Sequence, residues 1–215
     1  MHHHRDNDIV SGILHAIGIG CAIAALVLMI VFSAIAGDTW KVVATSIFGT
    51  GLILLYTASA LYHLFPIRWV RAKQLFRTLD YSMIFVLIAA TYTPLCLTVL
   101  RGGWGWSIFG IIWLLAITGV VLKISSWDIP QWIYIGKYVL MGWLILIAIL
   151  PLIERMPQAG LFWLVLGGVL YTLGVLFFAL DGKVGRMRYF GMHEIFHSFV
   201  LAGSFSHFWM VLHFL

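Results

Sequence analysis

The sequence predicts an all-α membrane protein, a seven-transmembrane helix bundle with its N-terminus in the cytoplasm and its C-terminus outside. Three observations lead there. The composition is 62% hydrophobic and only 10% charged, which is more apolar surface than a soluble core of this size hides from water. Apolar runs of about 20 residues, each long enough to cross a ~30 Å hydrocarbon layer, occur seven times. Basic residues between those runs fall overwhelmingly on one side.

The runs are Ile9–Ala36, Val42–Phe65, Tyr81–Leu100, Trp104–Leu122, Trp132–Leu152, Gly160–Leu180 and Phe190–Leu215. Unpaired backbone groups are costly in lipid, so each run is expected to be a helix. The short connections leave no room for a soluble domain, and residues 1–215 read as one seven-helix unit.

The first run superficially resembles a secretory signal, because Arg5 precedes it and Ala34-Ile35-Ala36 follows. A signal core spans only about 7–15 residues, however, and Asp6 and Asp8 oppose a basic leader, so the run reads as a span. The initial His2-His3-His4 carries no argument. Gly12, Ala16 and Gly20 form a small-residue stripe suited to close helix contact, and His15 lies beside it as an intramembrane histidine, expected to be hydrogen-bonded in packing. The second run ends Ser59-Ala60-Leu61-Tyr62-His63-Leu64-Phe65-Pro66, with Ser59 and His63 on one face and Pro66 marking the exit. The third opens on Leu79-Asp80-Tyr81-Ser82, with Asp80 readable as a first-turn acid, and Pro94 is expected to kink it. The fourth and fifth carry no buried acid. The sixth offers Gly167, Gly168 and Gly174 around Tyr171 as close-packing positions, and the seventh begins near His193-Glu194-Ile195-Phe196-His197. Cys21 and Cys96 fall at opposite depths, so no disulfide is expected.

Charge sets the orientation. With the N-terminus inside, Arg5, Arg68, Arg71, Lys73, Arg77, Lys123, Lys137, Lys183, Arg186 and Arg188 are cytoplasmic, against Lys41, Arg101 and Arg155 outside. The plasma membrane, a bacterial inner membrane, is the expected location. The net charge of +5 is explained by basic loops facing an anionic leaflet and requires no nucleic acid. Trp40, Trp104, Trp106 and Trp209 fit an outer interfacial belt, and Trp69, Trp127 and Trp132 an inner one.

His193 and His197 are four residues apart and so lie on one helix face, half of a metal site. Depth supplies the remainder. His63, Asp80, His193 and His197 all fall in the same cytoplasmic slab, although the spans were placed only by hydropathy and basic residues. Three imidazoles and a carboxylate at one depth suit a three-histidine zinc site with one open position. Two other histidines, His207 and His213, lie at least ~15 Å farther along the helix and cannot share the ion.

Ser59-x3-His63, Leu79-Asp80-Tyr81 with Thr91-Tyr92-Thr93-Pro94, and His193-x3-His197 running into Ser198–Ser204 together resemble the hemolysin III family, the bacterial branch of the progestin and adipoQ receptor superfamily. The resemblance covers essentially the whole chain. It implies that His63, His193 and His197 bind Zn²⁺ near the cytoplasmic face, that Asp80 holds water at the zinc, and that Ser59 lies beside it. It further implies kinship with alkaline ceramidases, hence hydrolysis of a lipid amide or ester by Asp80 and Ser59. The partners would be membrane lipids and a lipid substrate entering from the bilayer. The long N-terminal domain of the animal receptors has no counterpart here, so no hormone-receptor role is expected.

Other functions remain open on the residues. A zinc-stabilised membrane sensor or homeostasis protein needs the same ligands without turnover. A cytolytic role follows from the family name, although no polar stripe suited to a pore is visible. His193–His197 also spells H-E-x-x-H, and with Glu194 as base and Asp181 as third ligand it would be an intramembrane metalloprotease. Against that, Asp181 precedes the pair, and Glu194 is explained as a first-turn acid.

Overall fold

The computed structural model describes residues 2–125, 129–181 and 191–215, with side chains from Ile9 onward. The side chains of His2–His4, Arg5, Asp6 and Asp8 lie outside the described residues, as do Trp127, Lys183, Arg186, Arg188 and the expected start of the last span at Phe190. The helices are α1 (His2–Ile35), α2 (Thr39–Leu64), α3 (Val70–Leu97), α4 (Gly103–Ile124), α5 (Gln131–Trp143), α6 (Ile149–Arg155), α7 (Gln158–Leu180) and α8 (Met192–Phe214). A 3-10 segment, Leu144–Ala148, joins α5 to α6, so these three pieces form one span. Among the described residues, seven spans are therefore long and apolar enough to cross a membrane, and the chain is a multi-pass membrane protein.

Two expectations about helix ends need correction. The third span begins at Val70 rather than Tyr81, so Arg71, Lys73 and Arg77 belong to a helix and not to a basic loop. Hydropathy missed these roughly three turns, because Arg, Ala, Lys, Gln and Leu are strong helix formers whatever their polarity. Asp80 consequently stands nearly three turns inside α3, is only 9% exposed, and has no first-turn dipole to favour it. The second span begins three residues before Val42 because Asp38 caps it, accepting a hydrogen bond from the Lys41 N–H at 3.0 Å.

α1 also packs differently from the expected stripe. Its buried seam is Ser11, His15, Gly18, Ala22, Ala25, Met29 and Ser33, a three-and-four spacing that follows one helix face. Gly12 does meet α2, since a methyl there would overlap Leu64, but Gly20 faces open space and Ala16 is exposed. In α3 the helix continues through Pro94 to Leu97. Thr91 and Thr93 hydroxyls donate to the Leu87 and Ala89 carbonyls in the preceding turn. Cys21 is exposed, Cys96 is buried, and both are free.

The fifth span owes its break to Tyr92. The Ile145 N–H donates to the Tyr92 hydroxyl oxygen at 2.8 Å, and that hydroxyl faces the Met141 and Gly142 carbonyls at 2.7 and 2.9 Å. A side-chain oxygen inserted into the backbone ladder is a recognised cause of local helix distortion. The core runs through the bundle on Phe48, Phe85, Leu95, Ile112, Leu152 and Met210. Leu140, Ile147 and Leu150 are 66–74% exposed on the outside of the fifth span, the surface that lipid covers.

The glycines around Tyr171 serve α7–α8 contact unequally. A methyl on Gly167 would fall 2.4 Å from the His207 imidazole, whereas one on Gly168 would meet nothing nearer than 4.0 Å. Gly167→Ala is expected to cost about 1–3 kcal/mol through overpacking, and Gly168→Ala to be neutral or slightly stabilising. Thermal unfolding of the two variants in detergent checks this, and equal midpoints would contradict it.

Candidate metal centre

Three helix ends build the centre. His63 is the penultimate residue of α2, where the Phe65 N–H closes the helix on the Leu61 carbonyl before Pro66 turns the chain away. Lys73, one turn into α3, points its ammonium at the His63 and Phe65 carbonyls at 3.4 and 3.5 Å. A cation at a helix C-terminus is favoured by the unsatisfied carbonyls there, so the charge of α3 fixes the end of α2. His193 and His197 occupy the first two turns of α8. That helix start is held by Glu194, whose Oε2 accepts from the Gly191 N–H at 2.7 Å while Oε1 accepts from the Ser11 hydroxyl at 2.9 Å. Glu194 thus caps its own helix and ties it to α1.

The three expected imidazoles do converge. His63, His193 and His197 each offer a ring nitrogen, and these nitrogens lie within 4.8 Å of one another. His63 and His197 are 4% and 2% exposed, and His193 is half-buried. The chemistry of this donor set fits zinc on three grounds. Imidazole nitrogens on a tetrahedral zinc, at ~2.0–2.1 Å from the ion, stand about 3.3–3.4 Å apart, and the Nε2 atoms of His193 and His63 are 3.4 Å apart. The Nε2 atom of His197 is fully buried with no hydrogen-bond partner, a costly state for a polar atom unless something else engages it. Finally, the Nδ1 edge of His197 is hydrogen-bonded away from the cluster and that of His193 faces a carboxylate, an arrangement found at metal-binding histidines.

Those Nδ1 partners were not assigned to the site from the sequence. His197 Nδ1 lies 2.6 Å from His15 Nε2, and His193 Nδ1 lies 3.7 Å from Asp181 Oδ2, at ion-pair range. With the proton on Nδ1 in each ring, both Nε2 lone pairs are left for an ion. His15 is therefore hydrogen-bonded, as expected, but to the centre itself. The available signal was its depth, two turns in from the same end as His63. Asp181, considered as a third ligand, instead braces a ligand from behind.

Asp80 and Ser59 also reach this region. The Asp80 carboxylate lies within electrostatic range of His63 and beside the Ser59 hydroxyl, which is fully buried and closes no hydrogen bond of good geometry. Asp80, His193 and His197 line one end of a cavity of about 150 Å³. Its walls are otherwise mostly apolar, including Ile88, Leu95, Leu152, Leu164 and Val175, with His15, Thr91, Thr172 and His207 among them. Glu194 is turned away from this space, both its oxygens being engaged by Ser11 and Gly191. Farther along α8, His207 Nε2 faces the Leu164 carbonyl at 3.3 Å and His213 is exposed beside Trp209, so neither joins the cluster.

Comparison with known proteins agrees with the motifs. A family model described as haemolysin-III related matches residues 3–208. The hemolysin-3 homolog of Bacillus subtilis (strain 168) is 40% identical over 207 residues, covering 95% of this chain and 92% of its own length. Hemolysin-3 of Bacillus cereus is 39% identical over 207 residues, covering 95% and 90%. More distantly, an adiponectin receptor protein of Drosophila melanogaster is 27% identical over 201 residues, 80% of this chain and 42% of its own length.

Two consequences are measurable. His63→Ala and His193→Ala should each lose bound zinc on elemental analysis of purified protein, and unchanged metal content in both would remove the centre. His15→Leu keeps every ligand but frees the His197 ring, so its zinc affinity should fall about 10–100-fold in chelator competition; unaltered affinity would reduce His15 to packing.

Proposed function

From the premise that the chain belongs to the haemolysin-III-related family, we propose that it is a zinc-dependent hydrolase of a lipid amide or ester. The observation that carries this reading is one juxtaposition: two histidines of the three-histidine cluster and Asp80, with Ser59 beside that acid, line a largely apolar cavity inside the bundle. A purely structural site needs neither the cavity nor the acid.

The residues divide the work. His63, His193 and His197 hold the ion, with His15 and Asp181 orienting two of the rings. Zinc at such a centre polarises a carbonyl and makes water nucleophilic near neutral pH. Asp80 would orient that water, accept its proton as the oxygen adds to the carbonyl, and return the proton to the leaving nitrogen or oxygen as the acyl bond breaks. The buried Ser59 hydroxyl, beside Asp80, donates to the carbonyl oxygen as charge develops on it. The apolar walls receive methylenes of the acyl chain, so the scissile group is presented at the depth of the ion. With the N-terminus cytoplasmic, as the basic residues imply, that depth is the inner leaflet, and the substrate enters from lipid.

A second reading rests on a different feature of the same centre. His63 comes from α2, His193 and His197 from α8, and His15 from α1, so an ion there would staple three helices whether or not it catalyses. This is the zinc-stabilised sensor. The cytolytic reading has no such support: among the described residues the buried carboxylates, Asp80 and Glu194, both lie at the end of the bundle that holds the histidine cluster. The protease reading would need Glu194 as base, and its carboxylate is occupied in capping α8.

Zinc-loaded protein incubated with lipid amides and esters separates these readings. Fatty acid release is expected, with a loss of at least about 100-fold in Asp80→Asn and most activity kept in Glu194→Gln. Absence of turnover across a wide lipid panel, with zinc removal only lowering the melting temperature, would favour the staple.

A further inference from the structure

Near Asp80, three cations from three helices lie over a connected set of aromatic rings, Tyr81, Tyr134 and Phe85. Lys123, in the last turn of α4, sits 4.3 Å over the Tyr134 ring and 4.4 Å over the Tyr81 ring. Arg77, one turn before Asp80 on α3, lies 5.8 Å over the same Tyr81 ring. Lys137 on α5 lies 5.6 Å over Phe85. The platform under them is locked. Tyr134 donates its hydroxyl proton to the Leu122 carbonyl at 3.1 Å, Tyr138 donates to the Tyr81 carbonyl at 2.9 Å, and Phe85 packs on Tyr138 with centroids 4.5 Å apart.

Ring faces attract cations, with a contribution of about 0.5–2 kcal/mol each, but they do not neutralise charge. Arg77 and Lys123 face the same ring, so two like charges are held close together with Lys137 over the next ring but one, and among the described residues no carboxylate forms an ion pair with any of the three. The neighbouring acids are committed elsewhere: Asp181 reaches His193, and Asp80 stands against His63 and Ser59. Arg77 is exposed while Lys123 and Lys137 are half-buried, so the cluster is open to a ligand from the membrane surface. Tyr81 forms both the floor of this cluster and part of the wall of the apolar cavity.

We propose that Arg77, Lys123 and Lys137 form a binding site for the phosphate of an anionic glycerophospholipid, whose acyl chains lie against the neighbouring apolar surface. A phosphodiester supplies the missing negative charge and acceptor oxygens for an arginine and two lysines. The rings beneath hold the ammonium and guanidinium groups in place before the lipid arrives, which lowers the ordering cost of binding. This site is independent of hydrolysis: the lipid held there is bound through its headgroup, whether or not it is the lipid cleaved.

The test uses the full chain in detergent with three probes: dioctanoyl phosphatidylglycerol, dioctanoylglycerol without phosphate, and inorganic phosphate. Saturable binding of phosphatidylglycerol, read by thermal shift and by native mass spectrometry, is expected to exceed both other probes. The Arg77→Gln/Lys123→Gln variant should weaken it at least about tenfold, while Lys123→Arg and the distant Lys41→Gln should retain it. Zinc content measured on the same samples shows that the fold and the metal centre survive, so failure here is distinguishable from failure of the hydrolase reading. Equal binding by wild type and the double variant, or equal binding of phosphatidylglycerol and dioctanoylglycerol, would overturn the proposal. Binding of inorganic phosphate as strong as that of the lipid would overturn the lipid as its source.

Discussion

Imidazole nitrogens that face one another inside an apolar bundle are satisfied only when a proton or a metal ion lies between them. His63 and His193 point Nε2 at Nε2 across 3.4 Å, and the buried Nε2 of His197 has no hydrogen-bond partner. Burying polar atoms in this way is costly, so the surroundings have to over-determine their positions. Much of the local structure does that. Lys73 holds the end of α2, Glu194 and Ser11 hold the start of α8, and His15 and Asp181 orient the two α8 rings from behind.

The same logic explains why the centre sits at helix ends. A helix terminus leaves backbone groups unsatisfied, and side chains that satisfy them also become fixed in direction. Glu194 meets the N-terminal need of α8, and Lys73 meets the C-terminal need of α2. The polar residues of this region therefore serve two purposes: they make the bundle tolerable in lipid, and they aim imidazoles. Away from the centre the helices associate through close contact at Gly167, Gly174 and Gly203, as expected where lipid offers little hydrophobic drive between helices.

Span five illustrates how a cavity persists in such a bundle. Tyr92 inserts its hydroxyl between the Gly142 carbonyl and the Ile145 N–H, and the backbone passes through a 3-10 turn at that level. Ile145 and Leu146 of this turn line the cavity. An apolar space beside a metal-competent cluster is the feature on which the proposed chemistry on lipids rests.

By itself the sequence determined the seven spans and the membrane class, because hydropathy is a property of composition along a segment and lipid allows only helices to satisfy it. It also determined that His63, His193 and His197 share a depth, since rise per residue converts position along a span into depth. Only the tertiary structure decided which side chains at that depth touch. Depth says nothing about rotation around a helix axis or about neighbours, so His15 and Asp181 could not be assigned as braces for His197 and His193. Hydropathy is equally blind to polar helix, which is why the extension of α3 back to Val70 went unread and Asp80 passed for a first-turn acid. The cations over Tyr81, Tyr134 and Phe85 come from three helices, and charge counting read them as leaflet contacts; their convergence exists only once those helices pack.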